Sequence, residues 1–193
     1  SLRILDAVKI KDSKKTINSY PHELSGGMRQ RIIIGMSIIC KPEIIIADEP
    51  TTSLDVSVQS QIMDLFNEIK KEFNTSIILI THNMGIVQNI CNQLMVMYGG
   101  KIMELGDINK IFKKPLHPYT KGLLETVPRI DEDYKKLKTI KGNPINMINP
   151  PTGCIFRTRC SNPTHECKNG ITYNALIKKD QHHWVDQCCV NCN

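Results

Sequence analysis

No hydrophobic run in this 193-residue sequence is long enough to cross a membrane. The longest run, IIIGMSIIC at residues 32–40, falls far short of the roughly 18 residues that a spanning helix needs. The first residues also lack a basic segment followed by an apolar one, so they predict no secretory signal. We therefore expect the chain to lie in the cytosol.

The sequence also lacks a strong excess of charge of one sign. Its formal net charge is +6, and its lysines concentrate at residues 110–115 and 134–142. Such runs are typical of a solvated surface, so the composition predicts no nucleic-acid partner. The sequence has no internal repeat, and its length suffices for one or two domains with a hydrophobic core.

Cysteine, in contrast, is abundant and unevenly placed. Cys40 and Cys91 stand alone in apolar surroundings, which predicts buried side chains. The other six cysteines fall between residues 154 and 192. In a reducing compartment such a concentration predicts a metal site before it predicts disulfides.

The apolar pattern of the first part of the chain predicts alternating helices and strands. Residues 24–39 indicate a helix that follows Ser25 and is buried all round beyond Arg31. Short β-branched runs at residues 44–47 and 76–81 predict strands covered on both faces. This order predicts an α/β fold.

Two further elements are predicted from local signals. A helix follows Asp55, which suits the N-cap position, and its apolar residues recur at helical spacing. The run LMVMYGGKIMEL at residues 94–105 predicts a β-hairpin that turns at Gly99 and Gly100, where positive φ is needed. Beyond residue 110 prolines and lysines increase, and residues 142–154 predict an irregular approach to the cysteines.

Polar side chains at the strand ends suggest nucleotide chemistry. In open α/β sheets ligands bind outside the carboxyl ends of the strands. Asp48 there could hold Mg²⁺, Glu49 could deprotonate an attacking water, and His82 could touch a terminal phosphate. The alternatives are structural: Asp-Glu-Pro as a turn, Asp55 as a helix cap and His82 as an ordinary surface or core histidine.

The order of four short motifs decides between these interpretations. LSGGMRQR, a strand ending in DEP, then SLD, then a strand ending in THN resembles the ATP-binding-cassette (ABC) ATPases over residues 1–109. In that family LSGG is the signature motif, and its helix amino terminus favours the negative charge of phosphate. The resemblance implies that this edge contacts the γ-phosphate of ATP held by a second subunit. The nucleotide-contacting residues would be Ser25, Gly26, Gly27 and Gln30.

The same resemblance implies a role for each residue at the strand ends. Asp48 would be the Mg²⁺ carboxylate and Glu49 the catalytic base. Asp55 would belong to the loop that crosses the dimer interface, and His82 would be the switch histidine. The cofactors implied are ATP and Mg²⁺.

One element of the family is missing from the sequence. The pattern G-x-x-x-x-G-K-[ST], whose amides and lysine cradle phosphates, does not occur in these residues. We therefore expect the chain to be the C-terminal part of a longer ATPase, with a partial P-loop NTPase core, and to be inactive alone. Residues 1–40 would end the helical subdomain, and residues 41–109 would run from the DEP strand to the hairpin. Residues 110–143 would be a linker and 144–193 a cysteine-rich, metal-binding tail.

Longer motifs resemble one branch of the family. YPHELSGGMRQR, DEPTTSLDVSVQSQI and HPYTKGLLETVPR look like the ATPase subunits of oligopeptide and dipeptide importers. That resemblance implies a peripheral protein on the cytoplasmic face of the cell membrane. Its partners would be a second ATPase subunit, a transmembrane permease and, indirectly, an extracytoplasmic peptide-binding protein. Nickel and glutathione importers have similar ATPases, so the solute stays open.

The cysteine tail matches the same branch, with the spacing C-x5-C-x6-C-x20-C. The resemblance implies a [4Fe–4S] cluster on Cys154, Cys160, Cys167 and Cys188. The residues alone leave Zn²⁺ open, because it also accepts four thiolates, and they leave free thiols or a disulfide open as well. They also leave open other ligands, which are His165, His182, His183, Cys189 and Cys192.

Two functions of other classes remain open at this point. A soluble ABC ATPase of DNA repair or translation would share the signature motif, but it would not be expected to carry the HPYT motif with the cysteine tail. The chain could also be a non-catalytic, metal-binding fragment.

Overall fold

The computed structural model describes residues 2–127, 139–171 and 175–189. Cys192 falls outside these residues. So do most of the lysine run at residues 134–142 and part of the expected linker at residues 110–143. The chain divides into two compact units, residues 1–83 and 84–193. Within the described residues, no helix combines the length and the apolar character needed to cross a membrane.

The first unit is a helical segment followed by a parallel strand pair. Its elements are α1 (Leu2–Ala7), α2 (Ser13–Thr16), a 3₁₀ turn (Pro21–Glu23), α3 (Gly26–Ile38), β1 (Ile44–Asp48), α4 (Val56–Glu72) and β2 (Ser76–Ile80). Strands β1 and β2 are parallel, and their register pairs Asp48 with Ile80. The carboxyl ends of both strands therefore meet at one edge, as the sequence predicts.

The predicted N-caps are confirmed. The Ser25 hydroxyl accepts a hydrogen bond from the Met28 N–H at 3.3 Å, which begins α3. Asp55 caps α4 by accepting from the Val58 N–H at 2.9 Å. Each cap satisfies an amide that the helix itself leaves without a partner.

Burial around α3 and the strands is one-sided, so the prediction of all-round burial is wrong. Ile34 and Ile38 are buried in α3, whereas Ile33 and Met36 are exposed. In β1, burial alternates along the strand, and Ile46 is 67% exposed. An apolar run shows that a strand can be covered on both faces, but it does not show that a second layer exists in this unit.

The single cysteines also differ from expectation. Cys40 is exposed in the turn after α3, so its predicted burial is wrong. Cys91 is half-buried and packs against the apolar cluster of Val87, Leu94 and Val96 in the second unit. The predicted burial is therefore met only in part, and only by Cys91.

The second unit contains an antiparallel sheet of four strands with short helices around it. Its helices are α5 (Met84–Ile90), α6 (Ile108–Lys113), α7 (Pro118–Glu125), α8 (His165–Lys168) and a final 3₁₀ turn (Gln187–Cys189). Its strands are β3 (Gln93–Tyr98), β4 (Lys101–Asp107), β5 (Leu176–Asp180) and β6 (His183–Asp186), in the order β3-β4-β6-β5.

The hairpin prediction is confirmed, and the tail adds two strands to it. Gly99 and Gly100 turn the chain with φ of 52° and 76°. Strand β6 pairs with β4, matching Val185 with Glu104. The cysteine tail is therefore anchored on the hairpin sheet, which the sequence does not predict because β5 and β6 are short and polar.

Candidate functional site

The first candidate site lies at the carboxyl edge of β1 and β2. The Glu49 N–H donates to the Ile80 carbonyl at 2.9 Å, which continues the strand pairing by one residue. Glu49 has φ of 47°, a left-handed conformation that costs a non-glycine residue free energy and is common at functional sites. The turn places the Glu49 side chain at the strand edge.

Two hydrogen bonds hold the Glu49 carboxylate. His82 Nδ1 lies 2.8 Å from Glu49 Oε1, although the two residues are 33 positions apart. The Thr52 hydroxyl donates to Glu49 Oε2 at 2.8 Å. The hydrogen bond from His82, and then that from Thr52, lowers the pKa of Glu49 below its ordinary value. Glu49 is therefore ionised at neutral pH, which is the form that accepts a proton.

Asp48 and Thr52 complete this edge. Asp48 ends β1, and its side chain is exposed beside Glu49. An accessible carboxylate at a strand end suits Mg²⁺, which binds through one or two carboxylates, phosphate oxygens and water. Thr52 was not predicted from the sequence, although its place three residues after Glu49 in DEPTT is the only available signal.

The second candidate edge is the amino terminus of α3. A β-carbon at Gly27 would lie 2.9 Å from Val58 Cγ1, and one at Gly26 would lie 3.3 Å from Leu54 Cδ2. The SLD loop and the start of α4 therefore pack directly on the two glycines. Because valine is branched and stiff, the approach at Gly27 is too close for a larger residue.

The other residues of this edge have less specific surroundings. Gln30 is half-buried on α3. Asp55 accepts from the Ser57 hydroxyl at 2.7 Å and from the Val58 N–H at 2.9 Å. These two bonds, the Ser57 bond first, lower the pKa of Asp55. The structural interpretation of Asp55, as the N-cap of α4, is thus correct for this chain.

The cysteine site is a separate centre in the second unit. In the described part of the chain the seven cysteines are all thiols. The thiols of Cys154 and Cys188 are hydrogen-bonded to each other, and Cys160 interacts electrostatically with Cys154 and Cys167. The structure therefore brings together the four cysteines that the spacing singled out.

Local structure positions these thiols. The Thr164 hydroxyl caps α8 and donates to Cys167 Sγ at 3.2 Å. The Cys188 N–H donates to Asp186 Oδ1 at 2.9 Å. Gly153, just before Cys154, has φ of 79°, and a β-carbon there would lie 2.9 Å from the Gly170 backbone. That close approach brings the Cys154 loop against the residues that follow Cys167.

Burial and neighbouring thiols raise the pKa of three of these cysteines, Cys154, Cys160 and Cys188, which keeps them protonated. The hydrogen bond with Cys188, followed by burial, raises the pKa of Cys154. The hydrogen bond from Cys154 lowers the pKa of Cys188, but Cys189 and burial outweigh it and raise the pKa. Burial also raises the pKa of Cys160. Such thiols become thiolates when a bound cation compensates the buried charge.

A histidine that the sequence did not single out lies beside this site. Ligand atoms of His117, Cys188 and Cys189 lie within 4.8 Å of one another, and all three residues are buried. Among the described residues, the histidines that the sequence left open as ligands have other surroundings. His165 contacts Asn169 at 3.1 Å, His182 packs on Trp184, and His183 Nε2 lies 2.7 Å from Glu104 Oε1. The only signal for His117 was the motif HPYT.

Glu104 connects this region to the sheet. It is fully buried on β4 and accepts from the backbone N–H groups of Leu116 and His117, each at 2.9 Å. Its contact with His183 adds a partner on β6. A buried carboxylate is tolerated only with such partners, so Glu104 fixes the start of α7 against β6.

Two known protein families match the sequence. The family described as ABC transporter matches residues 2–52. The family described as oligopeptide/dipeptide transporter, C-terminal region, matches residues 103–167. The first match includes the α3 edge and the DEP strand, and the second includes His117 and the first three cysteines of the site.

Individual relatives give the same result over most of the chain. The oligopeptide transport ATP-binding protein OppD of Haemophilus influenzae is 54% identical over 168 residues, covering 87% of this chain and 52% of that protein. The dipeptide transport ATP-binding protein DppD of Bacillus subtilis is 47% identical over 181 residues, covering 94% of this chain and 54% of that protein. The chain thus spans about half the length of these relatives.

A solved structure supports the fold. The ADP conformation of MJ1267, an ATP-binding cassette of an ABC transporter, superposes with a TM-score of 0.53 and 25% identity. The match covers 62% of this chain and 47% of that chain. The predicted α/β fold, a partial ABC ATPase core, is confirmed. The chain is therefore similar, over about half of their length, to the ATP-binding proteins of oligopeptide and dipeptide ABC transporters.

Proposed function

We propose that this chain is part of an ATP-hydrolysing subunit that powers the import of oligopeptides or dipeptides. The observation that carries the proposal is the Glu49–His82 hydrogen bond of 2.8 Å at the carboxyl edge of the parallel strands. An ionised carboxylate held by a histidine at this edge suits the activation of a water molecule.

Each residue of this edge has a separate role in ATP hydrolysis. Glu49 accepts the proton of the attacking water, and the Thr52 hydroxyl fixes the carboxylate in position. His82, whose side chain is 82% exposed, can reach the terminal phosphate while it remains bonded to Glu49. Asp48 would hold Mg²⁺, which supplies positive charge against the phosphate oxygens.

The amino terminus of α3 serves the ATP of a second subunit. Ser25, Gly26 and Gly27 present backbone N–H groups and a hydroxyl at the positive end of a 13-residue helix. Gln30 lies one turn further along and adds a polar side chain. Leu54 of the SLD loop and Val58 of α4 pack on the two glycines, so the loop with Asp55 lies beside this edge.

The remaining partners follow from the relatives. An importer needs a transmembrane permease, and the ATPase pair would bind its cytoplasmic face as a peripheral complex. An extracytoplasmic peptide-binding protein would deliver the solute. The phosphate-binding lysine loop would come from the other half of the full-length protein, which this chain does not span, so hydrolysis is a property of the full-length protein.

We further propose that Cys154, Cys160, Cys167 and Cys188 hold a [4Fe–4S] cluster. The donor set fits, because four thiols from separate segments interact with one another, with Cys167 and Cys188 buried and Cys154 and Cys160 half-buried. The cluster would supply positive charge to the four thiolates and a crosslink between those segments. Zn²⁺ is the alternative, and metal analysis separates the two.

The function is tested by transport in proteoliposomes that contain the full-length protein and its permease. We expect ATP-dependent accumulation of a labelled dipeptide or oligopeptide when the cognate binding protein is supplied. Vesicles without ATP serve as the control. Accumulation of nickel or glutathione in place of peptide would overturn the assigned solute, and hydrolysis without any transport would overturn the importer function.

A further inference from the structure

The His117 side chain has one ring nitrogen in use and one without a partner. His117 is fully buried and caps α7, where Nδ1 accepts a hydrogen bond from the Tyr119 N–H at 3.0 Å. A nitrogen that accepts carries no proton, so the neutral ring carries its proton on Nε2. Among the described residues, this buried Nε2 has no hydrogen-bond partner.

An unsatisfied N–H in a buried position is costly and calls for an acceptor. The candidate acceptors are sulfur atoms, since a ring nitrogen of His117 lies within 4.8 Å of Cys188 Sγ and Cys189 Sγ. The residue is held in place, because the backbone N–H of His117 also donates to Glu104 Oε2 at 2.9 Å. The contact therefore requires a thiol to turn toward the ring.

The same geometry argues against His117 as a metal ligand. A histidine coordinates a metal through a nitrogen that has no proton, with its other nitrogen usually donating a hydrogen bond. Here Nδ1 accepts from the backbone, which reserves the proton for Nε2. The neutral ring is thus a hydrogen-bond donor at Nε2 and offers no unprotonated nitrogen to a metal.

We propose that His117 Nε2–H donates a hydrogen bond to the Cys188 sulfur when that sulfur binds the metal group of the cysteine site. The role rests on the proposed [4Fe–4S] cluster. A donor to a ligand sulfur stabilises the state with more negative charge, so it raises the reduction potential of the group. His117 is a positioning and tuning residue, distinct from the four ligands.

Two variants of the full-length protein, purified without oxygen, test this role. His117→Asn keeps an acceptor for the Tyr119 N–H, but its shorter side chain cannot reach the Nε2 position. His117→Gln places an amide N–H near that position but loses the hydrogen bond from the Tyr119 N–H that caps α7. The readouts are iron and sulfide content and the midpoint potential of the visible and electron-paramagnetic-resonance signals.

We expect His117→Asn to retain the iron content and to shift the one-electron equilibrium about tenfold toward the oxidised state, or about 59 mV. His117→Gln should restore most of that shift. Unchanged potentials in both variants, or equal falls in both, would overturn the donor role and leave the cluster standing. Loss of iron from both variants would make His117 a ligand of the cluster and would overturn the donor role. A wild-type protein without iron would overturn the cluster and the donor role together.

Discussion

Replacing Glu49 with glutamine in the full-length protein is expected to lower the rate of ATP hydrolysis at least about a hundredfold, the usual range for loss of a general base. Glutamine keeps the size of the side chain and a carbonyl oxygen for the Thr52 hydroxyl, which donates at 2.8 Å in the wild type. It cannot accept the proton of water. ATP binding should therefore stay within experimental error of the wild type.

The measurement combines single-turnover phosphate release with equilibrium binding of ATP. Glu43→Gln is a matched control, because Glu43 is an exposed carboxylate just before β1, at the opposite end of the strand. That variant should hydrolyse ATP normally. Hydrolysis by Glu49→Gln at the wild-type rate would remove Glu49 from the mechanism, and a parallel loss of ATP binding would assign it to binding instead.

Replacing Cys188 with alanine should remove most of the bound iron, whereas the same change at Cys189 should leave about four irons per chain, the content of one cluster. The two residues are adjacent and both buried, with their sulfur atoms 3.5 Å apart. They differ in their partners, because the Cys188 thiol is bonded to Cys154 and its N–H to Asp186. These contacts orient the Cys188 thiol toward Cys154, another cysteine of the proposed ligand set.

Iron, sulfide and zinc are measured on both variants purified without oxygen. Similar burial and volume make each variant a control for the folding of the other. Iron loss in the Cys189 variant alone would move the fourth ligand position to Cys189. One zinc per chain and no sulfide in the wild type would replace the cluster with a zinc site on the same thiols.

The two candidate edges of the first unit were largely predictable because their motifs are local. A serine before two glycines predicted the start of α3, and carboxylates at strand ends predicted the edge that holds Glu49 and His82. The partner contacts were not predictable, since they depend on tertiary packing. Nothing in SLD indicates that Val58 closes on Gly27, and only the structure shows that Thr52 donates to Glu49.

The sequence predicted burial and the contacts of the tail less well. The apolar runs of β1 and α3 suit two-sided burial, but the first unit covers one side of each, which leaves Ile46 and Met36 exposed. In the tail, cysteine spacing singled out four cysteines that lie in one region of the second unit. It did not indicate His117, which lies 71 positions before Cys188 in sequence and reaches it because Glu104 joins α7 to the sheet.

The central claim is that the Ser25–Gly27 edge and the Glu49–His82 edge act on ATP held at two different sites of a dimer. It is tested most directly by the steady-state rate of ATP hydrolysis per subunit, measured over a dilution series of the purified full-length protein saturated with ATP and Mg²⁺. We expect the rate per subunit to rise with protein concentration and to level off when dimers saturate. A rate per subunit that is independent of concentration, in a protein shown to be monomeric, would contradict the account.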